Sequence, residues 1–356
     1  MKNMIEWEED ARAFCAEFLN DSTRPRLVLG INHLADSIAK AVNIDGYIDD
    51  FTDKSMHSGK PVFKMETAPK DALVVSAVTS QVPLTVSQKL RAFNFQSIDY
   101  FAFQKFTPQL DLPILYLNEF AADYTVNRVS YDSVRARLAD VESVEVYDKI
   151  INFRLSRFLG YLEGFTNRQN QQYFEEFLPA PVGGEVFVDA GGFDGCTSEQ
   201  FIKHYPNYKA VHIFEPEAQN YQKAERRLNG HHGVNFHRLG LSDRSGTVRF
   251  SARNFASAIC DDGESEIQIG RLDDIVEGPV SFIKMDIEGA EGAALSGAEQ
   301  TIRKNHPMLA IAAYHKYDDF RSIPEQILGY RDDYELYLRH YTEGVAETVM
   351  SFKPCD

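Results

Sequence analysis

Residues 186–195 run Val-Phe-Val-Asp-Ala-Gly-Gly-Phe-Asp-Gly, an apolar strand that enters an acid and then a turn with three glycines. A strand that stops this abruptly, followed by a glycine-rich turn, is how an open parallel sheet begins its first crossover. Gly191, Gly192 and Gly195 lack Cβ atoms, so the backbone can adopt positive φ and come close to a ligand. Asp189 leaves a carboxylate at the strand end, where open α/β sheets bind their ligands. An acid in that place repels a pyrophosphate and suits a cationic ligand, or one whose hydroxyls and ammonium need acceptors.

The chain after this turn keeps the same rhythm. Ala210 to Phe214 is a second apolar run, ending in Glu215-Pro216, and an acid at that point commonly holds ribose hydroxyls. Phe236 to Leu241 is expected as a third strand ending in Ser242-Asp243. Ser281 to Met285 is a fourth, ending in Asp286-Ile287-Glu288-Gly289, and Met308 to Ala312 a fifth, ending in Tyr314-His315. A helical pattern between the last two carries Ala294, Leu295, Ala298 and Ile302 at threes and fours. Strands alternating with helices predict a doubly wound parallel sheet. Tyr334 to Arg339 and Glu347 to Phe352, around Thr342-Glu343-Gly344, predict a closing antiparallel hairpin.

These motifs carry a resemblance. VDAGGFDG with Thr197, IFEPE (213–217), LGLSDRSG (239–246), FIKMDIEGAE (282–291) followed by ALSGA (294–298), and LAIAAYH (309–315) occur in the order and spacing of the FkbM family. The carboxyl-terminal half, roughly 165–353, therefore resembles S-adenosylmethionine-dependent methyltransferases of that family. Many members carry Ala-Asn after the first glycine where this chain has Gly192-Phe193, so a contact made by that Asn does not carry over.

The resemblance implies an α/β class I methyltransferase-like domain and S-adenosyl-L-methionine as cofactor. It implies that Asp189 and the turn Gly191, Gly192, Phe193, Asp194, Gly195 and Thr197 position the methionine part. Glu215, beside Pro216, would accept from the ribose, and Ser242 or Asp243 would flank the adenine. It also implies methyl transfer, with O-methylation of a sugar, glycan or other small metabolite as the favoured reading.

An alcohol is a weak nucleophile and gains from a base or a metal. Asp286 and His315, on neighbouring strand ends, are the catalytic candidates, as base or orienting pair. A divalent cation held with Glu288 or Asp318 and a purely structural role are the alternatives, and no metal ligand is assigned. Glu291 is expected to meet the helix dipole and Lys284 to snorkel or pair with a carboxylate. His340 is expected either at the same mouth or in packing. Tyr173 and Phe174 are expected on an apolar helix face rather than over the cofactor.

The amino-terminal region has its own α/β rhythm. Arg26 to Gly30, Gly46 to Asp50, Ala72 to Val78 and Ser97 to Ala102 are expected strands, with a helical stretch from Ala35 to Val42. The turn after Gly30 lacks further glycines. That favours a degenerate Rossmann-like fold used for docking or substrate presentation over a working nucleotide or sugar-nucleotide site, although Asp49 and Asp50 stand where a ribose-binding acid would be.

Three segments are expected: 1–125, a smaller Rossmann-like domain; 126–180, a helical connector ended by Pro179 and Pro181; and 181–356, the methyltransferase domain. Trp7, Ala11, Phe14 and Phe18 predict a docked amino-terminal helix.

The formal net charge of −16 speaks against nucleic acid, whose phosphates need clustered cations. The four cysteines, Cys15, Cys196, Cys260 and Cys355, form no C-x-x-C pair, and Cys196 is expected as a small buried filler. Without a signal-peptide pattern or a long apolar run, the expectation is a cytoplasmic protein without a membrane span, with a homo-oligomer left open. The competing readings are a dinucleotide or sugar-nucleotide enzyme, against which the missing G-x-G-x-x-G stands, and a scaffold that keeps the fold without catalysis.

Overall fold

The computed structural model describes residues 4–20, 23–113, 117–178, 180, 182–253, 256–259 and 265–355, with side chains described up to Arg249 and again from Ser265. Pro179, Pro181 and Cys260 lie outside the described residues. The chain divides into two compact units. One gathers Met1–Ala122, Tyr147–Gln169 and Tyr341–Ala346; the other gathers Asp123–Val146, Asn170–His340 and Glu347–Asp356. The segment expected as a connector is thus shared between the units.

In the first unit, α1 (Met4–Leu19) buries Ala11, Phe14, Cys15 and Phe18, as its spacing predicts. There follow β1 (Arg26–Leu29), α2 (His33–Ala41), β2 (Gly46–Ile48), β3 (Met56–His57), β4 (Lys60–Phe63), β5 (Leu73–Ser76), α3 (Pro83–Ala92), β6 (Gln96–Asp99) and α4 (Tyr100–Phe106). The sheet order is β3-β4-β2-β1-β5-β6, parallel except for the short β3. Alternation along β1 sends Val28 into one core with Phe14, Phe18 and Ile38, and Leu27 and Leu29 into another with Leu90 and Phe95. The sheet is therefore covered on both faces.

The expected fourth strand, Ser97 to Ala102, is cut at Asp99. Its carboxylate accepts from the N–H of Ala102 and starts α4, so capping ends the strand early.

The helical stretch consists of α5 (Leu117–Val126), α6 (Arg128–Ala136) and α7 (Val141–Ser156). Not all of its apolar residues join the core. Val141 and Leu155 are exposed, and α7 stops before Arg157, which sits at positive φ. Phe158 and Leu159 lie beyond that stop, in and beside a short 3-10 turn.

The second unit continues with β7 (Val186–Ala190), α8 (Cys196–His204), β8 (Ala210–Phe214), α9 (Ala218–Arg227), β9 (Val234–His237), β10 (Gly240–Leu241), β11 (Gly246–Arg253), β12 (Ala256–Ile259), β13 (Ser265–Gly270) and α10 (Leu272–Ile275). After these come β14 (Phe282–Met285), α11 (Glu291–Ser296), α12 (Glu299–Asn305), β15 (Met308–Ala312), α13 (Asp319–Tyr330), β16 (Tyr334–His340) and β17 (Thr348–Pro354). Its main sheet has the order β16-β17-β15-β14-β7-β8-β9. The strands β14, β15, β7, β8 and β9 are parallel, and β17 enters antiparallel between β15 and β16. The chain reverses direction between β7 and β14, and that switch point is where open sheets leave a crevice. Phe187 stacks on Phe201 of α8 with centroids 4.3 Å apart and meets Phe282 edge-on at 5.2 Å, which anchors the central strands.

Two expectations change here. The third strand does not run from Phe236 to Leu241. It ends at His237, and the chain turns at Leu239 into a separate four-stranded sheet, β10-β13-β11-β12. The helix expected through Ala294 and Ile302 is broken in two at Gly297, where a Cβ would overlap the carbonyl oxygen of Ser242.

Candidate functional site

The site grows from the carboxyl ends of β7, β8, β14 and β15. Asp189 is fully buried, and its carboxylate does not face outward as expected. It accepts from Ser198 Oγ at 2.7 Å and pairs with Lys284 Nζ at 3.0 Å. The same ammonium donates to the carbonyls of Gly191 at 2.7 Å and Ala190 at 3.2 Å. Burial opposes the charge of Lys284, but Asp189 and Asp286 outweigh it and hold the lysine above its usual value. Lys284 therefore pairs with a carboxylate, one of the two expected outcomes, and it also pins the glycine turn from beneath.

Gly191 and Gly195 sit at positive φ. A Cβ on Gly191 would overlap the carbonyl oxygen of Asp286, and one on Gly195 would lie 3.1 Å from Ala224 of α9. Their bareness serves strand-to-turn and helix-to-helix packing, in addition to any ligand. Gly192 is equally constrained, by Ile213. Phe193 has φ +45 and is 58% exposed, the one large apolar side chain that the turn presents to solvent. Asp194 is engaged by Arg227 at 2.6 Å, and Thr197 lies half-buried in the first turn of α8. Cys196 is exposed, contrary to the buried filler expected, because it opens α8 on the outer side.

Glu215 and the turn are brought together. Its carboxylate accepts from the N–H of Phe193 at 3.0 Å and of Glu217 at 2.8 Å, with the half-buried Pro216 between. Burial pushes this acid up to about 7 against the pull of those two N–H groups. Ser242 and Asp243 do not end a strand of the main sheet. Ser242 Oγ donates to Asp243 at 3.2 Å, its N–H to Gly270, and Asp243 meets Arg244.

The second cluster lies at the ends of β14 and β15. Asp286 accepts from Tyr173 Oη at 2.7 Å and from Tyr314 Oη at 3.1 Å. Tyr314 also reaches Glu347 at 3.4 Å, and Gln172 donates to Glu347 at 2.8 Å. Burial, then the charge of Asp286, pushes both tyrosines far above their usual value, so they remain neutral donors. Burial would raise Asp286, but His315, Lys284 and the two hydroxyls outweigh it and hold the carboxyl below its usual range.

His315 Nδ1 is 2.9 Å from Glu291 Oε1, and Nε2 is 3.4 Å from Asp286 and 3.6 Å from Glu288. Burial opposes the imidazolium, yet Glu291, Asp286 and Glu288 lift it to about 10. An imidazole held in that state carries its proton at neutral pH. It orients Asp286 rather than taking a proton itself.

The cluster also revises the sequence reading. Tyr173 belongs to the site rather than to a helix face; it sits at φ +73 in a turn. Phe174 stacks on His204 with centroids 4.8 Å apart, away from it. Asp318 pairs with Arg321, and Asp319 is the residue that accepts from the N–H groups of His315 and Lys316. His340 is buried and bonded to Thr348 across the hairpin. Glu291 accepts from the Ile287 N–H as well as from His315, so it links the helix start to the histidine. Tyr314, Glu347 and Gln172 were missed. Of these only Glu347 carries a mark of strain, a positive φ that Tyr173, Phe193 and Glu288 share around this site.

In the first unit the segment 341–346 lies against the chain that follows β5. Glu343 caps α3 by accepting from Thr85 N at 2.7 Å, and the N–H groups of Glu343 and Val345 donate to Gln81 and Thr79. Gly344 lies so close to Thr79 and Ser80 that a Cβ would overlap both carbonyl oxygens. Asp50 is bonded to Lys89 and the Met65 N–H, and Asp49 to the Phe51 and Thr52 N–H groups.

Residues 185–341 match the family described as Methyltransferase FkbM domain. The chain is similar throughout to the crystal structure of Methyltransferase FkbM from Methylobacillus flagellatus KT, at 22% identity, covering 98% of this chain and 99% of that one, with a TM-score of 0.75. At that identity the likeness speaks for the fold. Weaker likenesses cover about half of this chain. One is to an rRNA methylase from Streptococcus thermophilus (16% identity, 50% of this chain and 90% of that one, TM-score 0.35). Another is to a Streptococcus mutans protein solved with SAH (14%, 48% and 89%, TM-score 0.31). No curated protein matches the sequence. No helix among the described residues is long and apolar enough to cross a membrane.

Proposed function

Since residues 185–341 match the FkbM methyltransferase domain, we propose that the chain is an S-adenosylmethionine-dependent O-methyltransferase whose acceptor is a hydroxyl of a sugar, glycan or other small metabolite. The observation that carries the reading is the pairing of two acids at adjacent mouths. Glu215 is tied to the glycine turn, and Asp286 is ringed by two tyrosine hydroxyls and an imidazolium. The donor set fits the cofactor. A buried carboxylate at the end of the second strand, its oxygens already oriented by N–H groups, is built to accept from a ribose diol. The exposed ring of Phe193 offers an apolar face beside it.

S-adenosylmethionine supplies a methyl group on a positively charged sulfur. What the protein adds is alignment and exclusion of water. Glu215 would hold the ribose, and Lys284, locked by Asp189, fixes the carbonyl of Gly191 and with it the course of the turn. Asp189 thus acts through the lysine. Asp286, which accepts from Tyr173 and Tyr314, would take the acceptor hydroxyl as a further donor and receive its proton. His315 keeps that carboxylate charged and in place. The net charge of −16 leaves a polyanionic acceptor unfavoured.

The test is calorimetry on the full chain with S-adenosylhomocysteine and, separately, NAD. Binding of the first alone is expected. Binding of NAD alone would overturn the reading in favour of a dinucleotide enzyme. With an acceptor found by screening sugars and polyols, Asp286→Asn is expected to keep S-adenosylhomocysteine affinity and to lower turnover by about a hundredfold or more.

A further inference from the structure

We propose that His315 Nε2, Asp286 and Glu288 form a binding site for a divalent first-row transition cation, with Glu291 orienting the histidine. Asp286, Glu291 and His315 bring one potential ligand atom each within 4.8 Å of one another. Acids gathered in this way are common, and the histidine is what singles this cluster out. Its side chain is 8% exposed, and Nε2 makes no hydrogen bond. The other ring nitrogen is fixed by Glu291 at 2.9 Å, and Glu291 is itself fixed by the Ile287 N–H at 2.9 Å. The ring is therefore clamped with Nε2 aimed at the two remaining carboxylates.

The distances on that side are 3.4 Å to Asp286 Oδ1 and 3.6 Å to Glu288 Oε2. Both are too long for hydrogen bonds. Each matches the separation of two ligands on one tetrahedrally bound cation, about 3.3–3.6 Å for bonds of about 2.0–2.2 Å, and Glu288, which stands outside the 4.8 Å group, has to turn toward Asp286 to complete the set. A histidine that ligates through one nitrogen while the other donates to a carboxylate is the usual arrangement at metal centres, because the second contact sets tautomer and ring orientation, and a cation on Nε2 would take the place of the proton that the ring holds without one. Tyr173 and Tyr314 hold Asp286 in the same manner. Glu288, with 41% of its side chain exposed, is free to close on the cation.

One imidazole and two carboxylates balance a double positive charge and suit Mn²⁺ or Zn²⁺ better than Mg²⁺, which prefers oxygen and water. Three protein ligands leave a position for a hydroxyl oxygen, whose proton the cation would make easier to lose. That catalytic use rests on the methyltransferase reading; the binding site does not.

The full chain, stripped with EDTA, is titrated with Mn²⁺ while the spin-resonance signal of the free ion is followed, and with Zn²⁺ by calorimetry. The expected result is one cation per chain. Affinity should fall at least tenfold in Glu288→Gln, a change confined to a 41% exposed side chain, and saturable binding should be lost in His315→Gln. No saturable binding by the wild type, or unchanged affinity in Glu288→Gln, overturns the site. S-adenosylhomocysteine binding on the same samples reports separately on the methyltransferase reading.

Discussion

At the scale of single residues, the Asp189–Lys284 pair governs how any variant of this site must be read. Both side chains are buried, at 0% and 3% exposure, and neither charge has water to fall back on. Removing one partner strands the other, which costs about 3–5 kcal/mol. Lys284→Met is therefore expected to lose that much stability in urea denaturation, and the double variant Asp189→Asn, Lys284→Met to recover part of it. A loss below about 1 kcal/mol in the single variant would show that the pair is not a buried charge lock. Asp189→Ala removes the same lock, so its effect on cofactor affinity counts only where the variant is shown to be folded.

Glu215 supplies the pH dependence at this scale. Its carboxyl is raised from 4.5 to about 7, first by burial and then by Glu217, against the N–H groups of Glu217 and Phe193 and the charge of Lys284. Between those values the folded chain keeps a proton that the unfolded chain has lost. Its contribution to stability is therefore full below about 4.5 and is lost as pH rises through about 7. Ligand binding runs the other way, because a ribose diol prefers the ionised carboxylate. S-adenosylhomocysteine affinity is expected to rise across about 7, and calorimetry on either side of that value should find the rise gone in Glu215→Gln. A rise of the same size in the variant would assign the effect to another group.

At the scale of elements, the turn after β7 is held from both sides, and this gives a sharp contrast between glycines. Gly191 has φ +75, and a Cβ there would overlap the Asp286 carbonyl oxygen; Gly230 has φ +94 with nothing within 4 Å. Both positions charge a side chain about 1–2 kcal/mol for the left-handed conformation. Only Gly191 adds an overlap against backbone, worth about 1–3 kcal/mol more. Thermal and urea unfolding should therefore find Gly191→Ala more destabilised than Gly230→Ala, and equal losses would mean that the turn yields freely.

The same elements show what the sequence could reveal. β7, β8 and β14 were legible because each is a short apolar run stopped by an acid or a glycine, and β15 because its apolar run stops at Tyr314-His315. β9 was overrun because Arg238 and Leu239 carry no breaker. The break between α11 and α12 was hidden because Gly297 answers to a carbonyl of Ser242, far away in sequence. Asp189, Glu215, Asp286 and His315 could be placed at strand ends, but the direction of a carboxylate could not be read. Whether Asp189 faces a ligand or Lys284 depends on a register that pairs the two residues across β7 and β14. Tyr173 and Glu347 come from turns whose positive φ no spacing announces.

At the scale of the whole molecule, two units share one sheet plan and differ in what lies at their switch points. In the second unit the ends of β7, β8 and β14 carry Asp189, Glu215 and Asp286 around a glycine turn. In the first unit the chain between β5 and α3 is met by 341–346, whose Glu343 gives its carboxylate to the start of α3. The Thr85 N–H and the positive end of α3 are already met by a carboxylate, which disfavours a phosphate there. The Rossmann-like plan of the first unit thus does not entail a second ligand. Calorimetry of the full chain with S-adenosylhomocysteine should accordingly give one site per chain, and titration with nucleotides or sugar nucleotides should give none. Two sites, or a nucleotide site that strengthens in Glu343→Gln, would mean that the segment 341–346 is a displaceable plug rather than part of the first unit's core.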